Sequence, residues 1–120
     1  MAGVRRLTRP QHFDLVYGRG SAWTSGVLVL KAMPNGLAFS RCGFSVSRRV
    51  GGAVVRNLAK RRLREIMRGT PLRPGWDIVL IARSPAAGTG YAGLKEATVR
   101  LLGRARLLEA ASIAGQAEDP

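Results

Sequence analysis

SVSRRVGGAVVRNLAKRRLREIMR, running from Ser45 to Arg68, decides how this chain is read. It holds eight of the 20 Lys and Arg residues against a single acid, Glu65. An alternating segment ends there, Gly51-Gly52 turns the chain, and a helix follows that Gly69 stops. At about 100° per residue, Arg56, Asn57, Lys60, Arg61, Arg64 and Arg68 share an arc of roughly 140°. Val55, Leu58, Ala59, Leu63 and Ile66 fall opposite, as a stripe suited to packing on a sheet. Arg62 lands inside the apolar arc and has to snorkel past its edge. Met67 lands at the border of the basic arc. Glu65 can pair with Arg68 three positions on for about 0.2–0.5 kcal/mol, which leaves the rest of the row uncompensated.

A charge run is ordinarily a solvated face, but solvated faces mix signs. A row of one sign is better explained by a polyanion with regularly spaced phosphates. The net charge of +13 over 120 residues agrees. Membrane docking would need bulky apolar residues opposite the basic row. Those present are modest and are needed by the sheet, so a nucleic acid is favoured over lipid.

The length fits one domain, 1–109, followed by an acidic tail, 110–120, expected to fray. The lone Cys42 excludes an internal disulfide and a cysteine-rich metal site, and reads as a small core filler. No apolar run reaches membrane-spanning length and Met1 to Arg9 lacks a signal core, so a cytoplasmic location is expected.

Upstream of the central stretch, Thr8 reads as an N-cap with Gln11 three later and Pro10 in the first turn. A short helix is expected to reach Tyr17 and stop at Gly18. Phe13, Val16 and Tyr17 share one face. Spacing alone favours a core stripe, and the alternative is an aromatic platform for bases. Residues 19–26 read as a Gly/Ser loop around Trp23. Val27–Met33 reads as a strand, Pro34-Asn35-Gly36 as a turn, and Leu37–Ser47 as the antiparallel partner, with a bulge near Cys42-Gly43. Downstream, Trp76–Arg83 is apolar on both faces at its centre, which places it inside the sheet, parallel to the strand before the helix. Ser84–Gly90 reads as a loop. A helix is expected over Tyr91–Glu109, its stripe formed by Leu94, Ala97, Leu101, Ala105 and Leu108.

Chemistry by the polypeptide itself finds little support. Outside the tail the acids are Asp14, Glu65, Asp77, Glu96 and Glu109, scattered rather than clustered as metal-dependent hydrolysis needs. His12 is the only histidine and sits in a first helical turn. Gly88-Thr-Gly90-Tyr-Ala-Gly93 matches a dinucleotide fingerprint. However, four residues separate it from its strand, and no strand follows to complete the unit.

The central stretch resembles the protein subunit of bacterial ribonuclease P. The likeness is carried by Arg41-Cys-Gly-Phe-Ser-Val-Ser-Arg-Arg-Val-Gly51 and by Ala53-Val-Val-Arg-Asn-Leu-Ala-Lys-Arg-Arg-Leu-Arg-Glu65. Phe13-Asp-Leu-Val-Tyr17, Gly20, Asp77-Ile-Val79 and Ile81-Ala-Arg83 extend it over roughly residues 5–108. The resemblance implies a single-domain α/β sandwich in the order αβββαβα. It would have a mixed four-stranded, ribosomal-protein-like sheet, a left-handed βαβ crossover, and one short strand not legible on its own. It implies a partner, a catalytic RNA that removes the 5′ leader from precursor tRNA with Mg²⁺ held mainly by the RNA. No membrane or small-molecule ligand is implied.

Position by position, Arg48, Arg49, Arg56, Asn57, Lys60, Arg61, Arg64 and Arg68 become expected contacts to the catalytic RNA. Phe13, Tyr17, Lys31, Ser45, Ser47 and Arg83 become expected leader contacts. No residue of the chain is expected to be catalytic. Three departures stand out. Leu58 replaces the second Arg of the family's Arg-Asn-Arg opening, pointing to the sheet on the wheel. Arg48-Arg49 replaces Lys-Lys, which adds bidentate phosphate binding. Lys31 takes an often aromatic position, exchanging stacking for a phosphate contact. The rival reading is an RNA-binding ribosomal or assembly protein with no processing role.

Overall fold

The computed structural model describes residues 4–109. The acidic tail read at 110–120 lies outside them. The elements in order are β1 (Arg5–Arg6), α1 (Pro10–Arg19), β2 (Ser21–Thr24), β3 (Leu28–Pro34), β4 (Arg41–Val46), α2 (Ala53–Arg68), β5 (Trp76–Ala82), a 3₁₀ turn (Ser84–Gly88) and α3 (Tyr91–Arg104). The sheet has the order β1-β4-β5-β3-β2. The expected αβββαβα series is therefore present, with β2 supplying the short strand. The sheet has five strands rather than four, because the basic lead adds β1, whose Arg5 and Arg6 pair in parallel with Arg41 and Cys42.

The hairpin expected between β3 and β4 does not form. β5 lies between them, antiparallel to β3 and parallel to β4. The reason is burial. Ile78, Val79 and Leu80 of β5 are all fully buried, and a strand apolar on both faces needs a neighbour on each side and a layer above and below. The β4–β5 register runs unbroken from Arg41 opposite Asp77 to Val46 opposite Ala82, so there is no bulge at Cys42-Gly43. β4 also starts later than expected. The Asn35 side chain accepts from the Leu37 N–H at 2.8 Å and donates to the Phe39 carbonyl at 3.2 Å, which holds residues 35–39 as a loop.

Helix ends differ for local reasons. α1 begins at Pro10 after Arg9, not at a Thr8 cap, and runs through Gly18 to Arg19. Glycine is tolerated within a helix, and the stop comes at Gly20, whose N–H reaches the Val16 carbonyl at 2.8 Å. α3 ends at Arg104 rather than Glu109. Arg106 takes φ 59° and reverses the chain, so Leu107 and Leu108 are buried and Leu108 bridges to Leu72.

The two faces of the sheet are covered unequally. On one, Leu28, Leu30, Ile78 and Leu80 form the main core with Leu63, Ile66 and Met67 of α2 and Leu94, Leu101 and Leu102 of α3. On the other, α1 buries only Val16 fully, against Leu7 and Val79, with Phe13, Met33 and Ile81 partly covered. At roughly 1.5–3 kcal/mol per buried aliphatic side chain, α1 is much the more lightly anchored layer. It leaves part of its face of the sheet open. Among the described residues no helix is long and apolar enough to cross a membrane.

Candidate RNA interface

α2 is rolled relative to the arc its sequence suggests. Its buried residues are Ala59, Leu63, Ile66 and Met67, so Met67 joins the core while Val55 and Leu58 stay exposed. Leu58, 39% exposed, therefore does not point to the sheet. The roll carries the leading edge of the basic row inward. Arg56, Lys60 and Arg64 are half-buried beside β4, whereas Asn57, Arg61 and Arg68 face outward. Arg62 does snorkel, donating to the Thr89 carbonyl at 3.3 Å.

Neutralisation of the row is slight. Glu65 reaches Arg68 at 3.2 Å, with both side chains more than half exposed. Such a surface pair contributes about 0–1 kcal/mol. The Nε of Arg64 is buried and finds no hydrogen-bond partner among the described residues. Ahead of the helix, Arg48 and Arg49 lie exposed in a turn closed by the Val50 N–H on the Ser47 carbonyl at 3.0 Å.

The opposite sheet face forms a shallow cleft under α1. Strand alternation and register bring Gly43, Val79 and Lys31 into one cross-strand row, and Ser45, Ile81 and Val29 into the next. Phe13 stands on Gly43. A Cβ built on Gly43 would lie 2.7 Å from Phe13 Cε1 and closer still to Cζ, so only glycine leaves room for the ring. Tyr17 lies 6.3 Å from Phe13, centroid to centroid. Lys31 Nζ donates to the Tyr17 carbonyl at 3.1 Å and sits 5.8 Å from its ring centre. It thus ties β3 to α1 while leaving its charge in the cleft. Ser45 is half-buried on this face, and Ser47 is exposed beyond the end of β4. Arg83 follows β5, donating to the Ser25 carbonyl at 2.9 Å. Phe13, Tyr17, Lys31 and Ser45 are thus gathered, while Ser47 and Arg83 lie at the rim.

The two basic and aromatic regions meet at the β1–β4 edge. There a hollow of about 240 Å³ is lined by Phe13 and Gly43 from the cleft and by Lys60 and Arg64 from α2.

A polar anchor that sequence reasoning missed lies at the cleft's far end. Asp77 takes two bonds from Arg41, at 2.8 and 2.7 Å, and one from Asn35 Nδ2 at 2.9 Å. Burial, the largest single influence, pulls the Asp77 carboxyl up, but the bonds from Arg41 and Asn35 and the charges of Arg41 and His12 together hold it below the usual range. The bond to Asp77 holds the Arg41 guanidinium pKa up, against its burial. Arg41 Nη1 lies 3.2 Å from His12 Nδ1, so the network reaches α1. The one available signal was an acid opening an apolar strand. Burial alone pushes the Cys42 thiol far up, which makes it inert.

Among the described residues no three His, Cys, Asp or Glu side chains gather, and Asp77, Glu65 and Glu96 are each bonded to an arginine.

The profile of the family described as Ribonuclease P matches residues 1–106. The chain belongs to the ribonuclease P protein family. It is 48% identical to the ribonuclease P protein component of Dehalococcoides mccartyi over 93% of both chains. It is 46% identical to that of Roseiflexus castenholzii over 92% of this chain and 93% of the other. The fold is similar to the RNase P protein of Staphylococcus aureus, with TM-score 0.79 and 26% identity over 88% of this chain and 99% of that one. It is also similar to that of Thermotoga maritima, with TM-score 0.75 and 32% identity over 83% and 96%. These likenesses support the ribonuclease P reading over that of a ribosomal or assembly protein.

Proposed function

We propose that this chain partners a catalytic RNA in the cytoplasm and assists it in removing the 5′ leader from precursor tRNA, the RNA with its Mg²⁺ carrying out the hydrolysis. Arg48, Arg49 and the row Arg56, Asn57, Lys60, Arg61, Arg64 and Arg68 meet the catalytic RNA. Phe13, Tyr17, Lys31 and Ser45 hold the single-stranded leader, with Ser47 and Arg83 at the entrances. The observation that carries this reading is the junction of an open aromatic-lined sheet face with a cationic row that has almost no acid beside it.

The role follows from electrostatics and from what distinguishes substrate from product. Two RNAs and their leaving leader repel one another, and fixed guanidinium and ammonium groups offset that repulsion. Only the precursor has a leader to occupy the cleft, so contacts there separate precursor from mature tRNA. In this reading the domain 1–109 acts as a binding partner, and hydrolysis belongs to the RNA.

The test is leader cleavage by a cognate catalytic RNA at low Mg²⁺, with and without the protein. Added protein should restore cleavage and lower the Mg²⁺ required. Tight binding to ribosomal RNA with no stimulation would favour the rival class instead, and cleavage by the protein alone would overturn the division of labour.

A further inference from the structure

Between β1, β4 and the second half of α2 lies a hollow of about 280 Å³ that the leader cleft does not use. Its floor is apolar, formed by Val4, Cys42, Phe44 and Met67. Its walls are cationic, with Arg6 on the strand side and Arg64 and Arg68 on the helix side; Arg5 lines it too, but its guanidinium lies over the Phe39 ring, 4.5 Å from its centre. It shares Arg6, Cys42, Phe44 and Arg64 with the smaller hollow at the Phe13 end, so the two form one continuous groove along the sheet edge.

We infer that this hollow is a nucleotide pocket. It takes one unstacked base of single-stranded RNA, with the base against Phe44 and Val4 and the adjoining phosphate between Arg6 and Arg68. The proposal rests on the RNA-partner reading above and adds to it a contact that reads a base rather than a charge.

Three features favour this occupant. A nucleobase is flat and apolar on its faces, which matches a floor that offers the half-buried phenyl ring of Phe44 beside Val4. Arg6, Arg64 and Arg68 with one exposed Glu65 beside them call for an anion at the rim. Arg64 Nε is buried and lacks a partner among the described residues. A base edge or phosphate oxygen supplies the acceptor that it lacks. An apolar ligand would leave that N–H orphaned, and a bare phosphate would leave the floor unfilled.

The test uses the full chain labelled at its methyl groups and titrated in parallel with adenosine 5′-monophosphate, ribose 5-phosphate and inorganic phosphate. The adenosine nucleotide should give ring-current shifts at the Val4 and Met67 methyls and bind about tenfold more tightly than the two base-free probes. Equal binding of all three, or shifts confined to the cleft around Met33 and Ile81, would overturn the pocket. Val4→Trp fills the floor without touching the cationic walls. With its fold checked by circular dichroism, it should lose those nucleotide-induced shifts and bind the catalytic RNA several-fold less tightly. Wild-type affinity in that variant would remove RNA as the occupant. If the wild-type protein stimulates leader cleavage yet shows no nucleotide shifts, the pocket alone fails and the broader function stands.

Discussion

Gly43→Ala is a one-carbon change whose consequence can be worked out in advance. The new Cβ would sit 2.7 Å from Phe13 Cε1 and 3.3 Å from Leu7 Cβ. Carbon atoms in contact prefer about 3.5–4.0 Å, so the ring has to retreat by about 1 Å. Leu7 is buried on the same side and blocks part of that retreat. Overpacking of this kind costs about 1–3 kcal/mol. Replacing a strand glycine returns about 0.5–1 kcal/mol of backbone entropy. The net expectation is a loss of about 1–2 kcal/mol, read as a lowered urea midpoint at unchanged slope. The cause is isolated by a double-mutant cycle. In a Phe13→Ala background the clash is gone, and Gly43→Ala should become neutral or stabilising, for a coupling of about 2 kcal/mol. In leader cleavage, Gly43→Ala should reduce the preference for leader-bearing tRNA in the same direction as Phe13→Ala. If Gly43→Ala melts like wild type and the cycle closes within about 0.5 kcal/mol, the idea that glycine seats the ring is wrong.

Replacing Arg56, Lys60 and Arg64 together by Ala should weaken assembly with the catalytic RNA while the protein stays folded, as measured by filter binding beside circular dichroism. Leu58→Arg restores the family's basic pattern at an exposed position, so it should leave stability within about 0.5 kcal/mol and tighten RNA binding at low salt; unchanged affinity would mean that this side of α2 faces no phosphate. Asp77 has a carboxyl pKa held low in the folded state, so its contribution is present above the ordinary carboxylate range and lost as pH falls through the folded value. Asp77→Asn should therefore cost about 2–3 kcal/mol at pH 7 and show a smaller further loss below about pH 4, in melts followed across pH.

Much of this molecule was legible because its strongest signals are local. The basic face of α2 and the apolar β5 come from side-chain patterns within one element, whereas α3 buries only Leu94 and Leu101 of its expected stripe, together with Thr98 and Leu102. What escaped depended on other elements. β3 and β4 each alternate well enough to pair, and nothing in either records that β5 inserts between them. The roll of α2 follows the core it packs into, so Met67 is buried and Leu58 exposed against the wheel. β1 itself is two arginines, which no strand propensity would select. They extend there because Arg5 N–H finds the Ser40 carbonyl and Leu7 N–H the Cys42 carbonyl, each at 2.9 Å. Of the expected site residues, those on strands and helices converge because period and register bring them together, whereas Ser47 and Arg83 sit past strand ends where alternation no longer governs direction.

The affinity of the full-length protein for its catalytic RNA, followed as monovalent salt is raised, bears most directly on whether the cationic row meets phosphates. With about six phosphates neutralised, the logarithm of the association constant should fall against that of salt with a slope near −4. A slope near zero at measurable affinity would contradict it.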